Sequence, residues 1–183
     1  MQKVVAIGGH AEHGKDTLAD MIKEKLEEKD EEVARYAFAE SLKMIAESIF
    51  DWDGSKDKYG RTLLQELGSF AREYIDEDFW VKDVAEQIDA FKNAVDYHLI
   101  SDLRYPNEAE YFRENDYDNL IVKVTRLDED GNLYSNSLSG EQKGHHSETS
   151  IDLIDYDLHV VADSLDTLEE SAEKITEMIT EGE

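Results

Sequence analysis

The feature that most limits the fold lies near the start of the chain. The apolar run Val4 to Ile7 stops at Gly8 and Gly9, and the loop GGHAEHGKDT then leads into a segment with Leu18, Met21, Ile22 and Leu26 at helical spacing. A short run rich in β-branched residues and bounded by glycines reads as a buried strand. Strand, glycine loop and helix in that order predict the opening of an α/β domain. In such a loop the glycines let the backbone curl, so that successive N–H groups and the helix N-terminus face an anion.

Gly9, Gly14 and Lys15 match the phosphate-binding pattern G-x-x-x-x-G-K. The candidate cradle for nucleotide phosphates is therefore Gly9, His10, Ala11, Glu12, His13, Gly14, Lys15, Asp16 and Thr17, with Lys15 as a point charge on the outer phosphates. His10 and His13 can contact the nucleotide or simply fill variable loop positions. A glycine turn with only a structural role is the alternative for the whole stretch. The pattern usually continues with a hydroxyl that holds Mg²⁺, whereas this chain has Asp16. A carboxylate in the first turn of a helix is favoured by the helix dipole in its own right. Beside a triphosphate it needs a cation between, so Asp16 is read as helping to position Mg²⁺, directly or through water, with the Thr17 hydroxyl on a phosphate.

The same strand and helix alternation continues along the chain. Strands are predicted at Val33 to Phe38, Tyr97 to Ile100, Leu120 to Val124 and His159 to Val161. Helices are predicted around Leu42, Ile45, Ala46 and Ile49, from Arg61 to about Tyr74, from Phe79 to about Val95, and from Pro106 to about Glu114. A closing helix carries Leu165, Leu168, Ala172, Ile175 and Ile179 on one stripe. The polar stretch from 127 to 150 reads as a long, lid-like loop. The expectation is one domain over 1–183, a three-layer α/β/α fold around a central, mainly parallel five-stranded sheet. Residues from about 40 to 95 form a helical insertion, and ligands bind at the carboxyl ends of the strands.

Composition narrows the partners. With 45 acidic residues against 19 basic ones the net charge is −26, which argues against general affinity for nucleic acid or an anionic membrane. Any polyanion must be met locally. The chain has no cysteine, so disulfides and thiolate metal sites are excluded. The segment MQKVVAIGG is too short for a signal peptide or a bilayer span, and a cytoplasmic location is expected.

In so acidic a chain the basic residues near predicted strand ends stand out. Of six arginines, Arg61, Arg72, Arg104 and Arg126 lie beside glycine turns, at strand ends or on the helices after the second strand. Each alone reads as a surface ion pair. As a set they suggest a second phosphate site facing Lys15, because planar guanidinium donors match the oxygens of a migrating phosphoryl group. Arg35 and Arg113 read as structural. Asp102 ends the third strand, where it can organise Mg²⁺ or serve as a turn residue. His145, His146 and Glu148 read as plain loop residues rather than a metal site. Phe79 and Trp80 can stack on a base or anchor a helix.

The blocks GKDT, YAFAESLK, GRTLLQELGSFAREY, DFWV, SDLRYPNEAE, VKVTR and HHSET follow one another in the order found in a known family. Over most of its length the chain resembles the deoxynucleoside monophosphate kinases of tailed bacteriophages, within the P-loop nucleotide kinase superfamily. The resemblance implies transfer of the γ-phosphoryl group of ATP to a (deoxy)nucleoside monophosphate, with Mg²⁺. Lys15 and the Gly9 to Gly14 backbone would hold ATP phosphates, with Asp16 and Asp102 at the metal. Lys43, Arg61, Arg72 and Arg104 would surround the acceptor phosphate, with Gln65 and Trp80 near its base or sugar. Arg126 and the loop after it would close over the transferring group. Lys15, Asp102, Arg104 and Arg126 are thus the candidate catalytic residues. Small-molecule nucleotides are the expected partners, and a homodimer is the expectation that such enzymes carry. Two alternatives remain open: a dephospho-coenzyme A or phosphomevalonate type of kinase, and a module that binds ATP without transferring phosphate.

Overall fold

The computed structural model of the chain describes residues 1–55 and 57–181. Five strands form one parallel sheet: β1 (Gln2–Gly8), β2 (Val33–Tyr36), β3 (Tyr97–Leu103), β4 (Tyr117–Arg126) and β5 (Leu158–Ala162), in the spatial order β2-β3-β1-β4-β5. The longer helices are α1 (Lys15–Glu27), α2 (Phe38–Phe50), α3 (Lys58–Tyr74), α4 (Phe79–Ala90), α5 (Pro106–Glu114) and α8 (Leu165–Thr180). Between β4 and β5 lie two single turns, α6 (Gly140–Lys143) and α7 (His146–Thr149), and a 3-10 turn Ser150–Leu153.

Side chains alternate across a strand, so β1 feeds two cores. Val4 and Ala6 pack with Ile100, Ile121, Phe38, Trp80, Val84 and Phe112, the layer of α2, α3, α4 and α5. Val5 and Ile7 pack with Leu18, Ile22, Leu99, Val124, Ala172 and Ile175, the layer of α1 and α8. The expected three-layer α/β/α arrangement around a five-stranded sheet is therefore what the chain forms, and the sheet is parallel throughout. β1 sends its chain by α1 to β2 on one side, whereas β3 sends its chain by α5 to β4 on the other. The carboxyl ends of β1 and β3 thus flank the point where the winding reverses, the usual ligand crevice of such sheets.

Several boundaries differ from the sequence expectation. β3 runs on to Leu103, which pairs with Gly8 across a register shift. β4 begins at Tyr117, because Tyr117 to Asn119 pair with Gln2 to Val4. α4 stops at Ala90, and Ala90, Phe91 and Ala94 beyond Ile88 are exposed. Ile49 and Leu165, placed on buried stripes by periodicity, are 68% and 66% exposed, since each sits at a helix end past the edge of its core. Among the described residues no helix is long and apolar enough to cross a membrane.

Candidate active site

The glycine loop is shaped by what it touches. Gly9 has φ +147° beside β4, and a Cβ there would come within 2.4 Å of the Val124 carbonyl oxygen. Gly14 caps α1 in the left-handed region, at φ 94°. Glu12 also has positive φ, 66°, a strained choice for a side-chain-bearing residue. Its carboxylate accepts hydrogen bonds from the backbone and hydroxyl of Ser137, so residues 127–150 tie it down.

Lys15 is the first residue of α1 and only 6% exposed. Its Nζ donates to the His10 carbonyl at 2.8 Å. Burial, then the charge of Arg104, pulls its pKa from 10.5 down to about 7. His13 is buried beside it and its Nδ1 accepts from the Arg126 backbone N–H at 3.3 Å. Burial and neighbouring His10 lower its pKa. Ala11 is half-buried, as is Thr17, which stands in the first turn of α1.

Next to the loop, α2, α3, α4 and the β3–α5 connection enclose a cavity of about 560 Å³. Lys43, Arg61, Gln65, Arg72, Trp80 and Arg104 all line it, as do Ala11, Asp16 and Asp102. The structure therefore brings together the whole expected acceptor set, from four separate segments, beside the phosphate loop. Trp80 also anchors α4: it is 4% exposed and its Nε1 donates to the Gly68 carbonyl at 3.1 Å. Arg126 is not part of this convergence. It is exposed at the end of β4, with its guanidinium 4.1 Å from the centre of the Tyr134 ring.

The two acidic residues expected at a metal have different surroundings. Asp16 is exposed, bonded to the Arg35 guanidinium and accepting from the Ser101 hydroxyl at 3.0 Å. Asp102 instead directs both carboxylate oxygens at the start of α2, accepting from Phe38 N at 2.8 Å and Ala39 N at 2.9 Å. Burial raises its pKa. Among the described residues no group of three or more His, Asp or Glu side chains is spaced to hold a metal ion.

Four contributors escaped sequence reasoning. Arg35, read as structural, lines the cavity and links Asp16, Asp20 and Ser101. Glu108, 1% exposed, accepts from Arg72 Nη2 at 2.7 Å and from the Arg104 backbone at 2.8 Å. Tyr105 lies under the Arg72 guanidinium, 4.0 Å from it. Glu148, read as a loop residue, is 6% exposed and joins Ala11, His10 and Arg104. Only Glu108 carried a local signal, as a glutamate three residues after the residue that precedes Pro106, the capping-box position of α5.

No family model and no curated protein matches the chain. Solved structures do. The Mycobacterium tuberculosis APS kinase CysC in complex with AMPPNP and APS aligns over 98% of this chain and 98% of its own, at 12% identity and a TM-score of 0.51. An unliganded sugar kinase from Janibacter sp. HTCC2649 aligns over 95% and 94%, at 15% identity and a TM-score of 0.53. With its five-stranded parallel sheet and flanking helices, the chain shares the α/β fold of these solved kinases.

Proposed function

We propose that the chain is a Mg²⁺-dependent kinase that transfers the γ-phosphoryl group of ATP to the phosphate of a (deoxy)nucleoside monophosphate, giving a diphosphate and ADP. The observation that carries this reading is the pairing of a phosphate loop with a second cationic site. Lys43, Arg61, Arg72 and Arg104 meet in one cavity in a chain of net charge −26, and Ala11 and Asp16, from the loop and helix start that carry Lys15, line the same cavity. At about 560 Å³ the cavity lies in the range of small-ligand sites, roughly 300–1,000 Å³. Gln65 and Trp80 add a hydrogen-bonding and an aromatic wall suited to a base or sugar.

In this reading the loop amides and Lys15 hold the β- and γ-phosphates, and the acceptor arginines set one phosphate oxygen in line with the γ-phosphorus. That oxygen forms the new P–O bond as the bond to the β-phosphate bridging oxygen breaks, and ADP leaves with the electron pair. Arg104 stands between the two sites and can follow the charge on the migrating group, a role worth as much as 10³ to 10⁵ in rate. Arg126 would release Tyr134 to reach the transferring group. Mg²⁺, when bound, neutralises and orients phosphate oxygens. Asp16 is suited to it by exposure and oxygen chemistry, while Asp102 would act from behind, by fixing the start of α2 and hence Lys43.

The kinases of similar fold leave the acceptor open, and the name of one includes a sugar. A panel of dTMP, dGMP, dCMP, dAMP and their ribose forms, with dephospho-coenzyme A, phosphomevalonate and simple sugars as competitors, decides it. Turnover of at least one monophosphate by wild type and none by Lys15→Ala is expected. Turnover confined to another acceptor class, or none at all despite ATP binding, would overturn the assignment.

A further inference from the structure

Glu148 places a carboxylate against the glycine loop. Its carboxylate accepts from the Ala11 backbone N–H of the phosphate loop at 3.3 Å, lies 3.6 Å from His10 Nδ1 and is bonded to the Arg104 guanidinium. These are a loop amide, a loop side chain and the arginine shared by the two proposed phosphate sites. The carboxylate is charged although it is only 6% exposed: burial alone would raise its pKa, but the His10 contact and the Arg104 charge hold it down at about 2. Its backbone lies in α7, the single turn that closes residues 127–150. Neighbouring His145 and Ser147, from the same turn, line the acceptor cavity.

We propose that Glu148 is an internal competitor for phosphate, a positioning residue that occupies the anion position of the loop until a phosphate displaces it. The single Ala11 N–H serves one anion, and a second anion beside Arg104 repels the carboxylate, so an entering phosphate expels Glu148 and moves α7 with it. Because Arg104 also faces the acceptor cavity, a phosphate bound there loosens Glu148 and frees the loop amide for the donor. The two substrates then assist one another's binding, and by linkage the help is mutual. Glu12, through the backbone and hydroxyl of Ser137, holds another part of the 127–150 segment against the loop by a contact that need not break.

The inference rests on the loop being a phosphate site, but not on which acceptor is phosphorylated. It is tested by calorimetric titration of inorganic tripolyphosphate into wild type and Glu148→Gln, which keeps shape and a hydrogen-bond acceptor but removes the charge. Binding about tenfold tighter in the variant is expected, in the range of ordinary coupling effects. Affinity within twofold of wild type, weaker binding, or no binding to either form overturns it. Hydrogen exchange on wild type covers the case of a variant that fails to fold. Tripolyphosphate should speed exchange at the amides of residues 145–149, whereas unchanged or slower exchange there counts against the proposal. A protein that phosphorylates a monophosphate but shows no gain in Glu148→Gln loses this inference and keeps the reaction. One that shows the gain without such turnover keeps the competitor and loses the acceptor assignment.

Discussion

Replacing Lys15 by methionine should make the ligand-free protein more stable while abolishing phosphate transfer. Lys15 is 6% exposed and its ammonium donates to the His10 carbonyl, so most of its hydration is lost on folding. Its pKa falls from the ordinary 10.5 to about 7. At about 1.4 kcal/mol per pH unit, a protonated Lys15 costs the fold about 4 to 5 kcal/mol below pH 7. Methionine keeps the apolar stem and removes that cost, less about 1 kcal/mol for the lost hydrogen bond. A base whose folded pKa lies below its unfolded one binds fewer protons in the folded state, so its contribution to stability rises with pH between the two values. Between pH 7 and pH 9 the wild type should recover about 2 kcal/mol that the variant never lost. Urea unfolding of both proteins at pH 6, 7, 8 and 9 measures this. The variant should be more stable by about 3 to 4 kcal/mol at pH 6 and 7, with the gap narrowing steadily above pH 7. A gap that does not change with pH, or a variant less stable at pH 7, would refute the claim that a desolvated ammonium sits under the loop.

Three other substitutions probe separate parts of the site. Gly9→Ala forces a Cβ to within 2.4 Å of the Val124 carbonyl oxygen at φ +147°, so a loss of several kcal/mol in urea stability and of tripolyphosphate binding is expected. Full binding by Gly9→Ala would show that the loop is not held against β4. Asp102→Asn offers one acceptor oxygen where two amides of α2 now donate, and should cost about 1 to 3 kcal/mol in unfolding experiments; a neutral effect would mean that the carboxylate does not cap α2. Glu108→Gln removes the charge that holds Arg72, and steady-state kinetics should show the acceptor KM raised about tenfold or more with the ATP KM little changed. Equal rises in both constants would point to a general loss of structure instead.

Local order was readable from the chain alone wherever one interaction range sufficed. β1, the loop, α1 and α5 were legible because their signals are periodicity, glycine and a proline in the first turn, all within a few residues of the structure they cause. The convergence of Lys43, Arg61, Arg72 and Arg104 was reached only through the set of arginines and the resemblance of successive blocks. The partners that give the site its present state come from far along the chain. Asp102 meets Phe38 across 64 positions, and Glu148 meets Ala11 across 137. No local pattern announces such a contact, and Glu148 in a polar stretch looked like a solvated loop residue. Arg35 reads as structural for the same reason, since its three partners lie on α1 and β3. The lid-like stretch holds the turns α6 and α7, too short for a hydrophobic period to show.

The central claim is direct transfer between two facing phosphate sites. ³¹P NMR of a mixture of protein, ATP, Mg²⁺ and the preferred monophosphate from the acceptor panel reads that transfer without coupling enzymes. The ATP γ signal should fall as the β signal of a new nucleoside diphosphate rises in equal amount, with almost no inorganic phosphate when the acceptor is withheld. Release of inorganic phosphate at the same rate with and without acceptor, and no diphosphate other than ADP, would contradict the account.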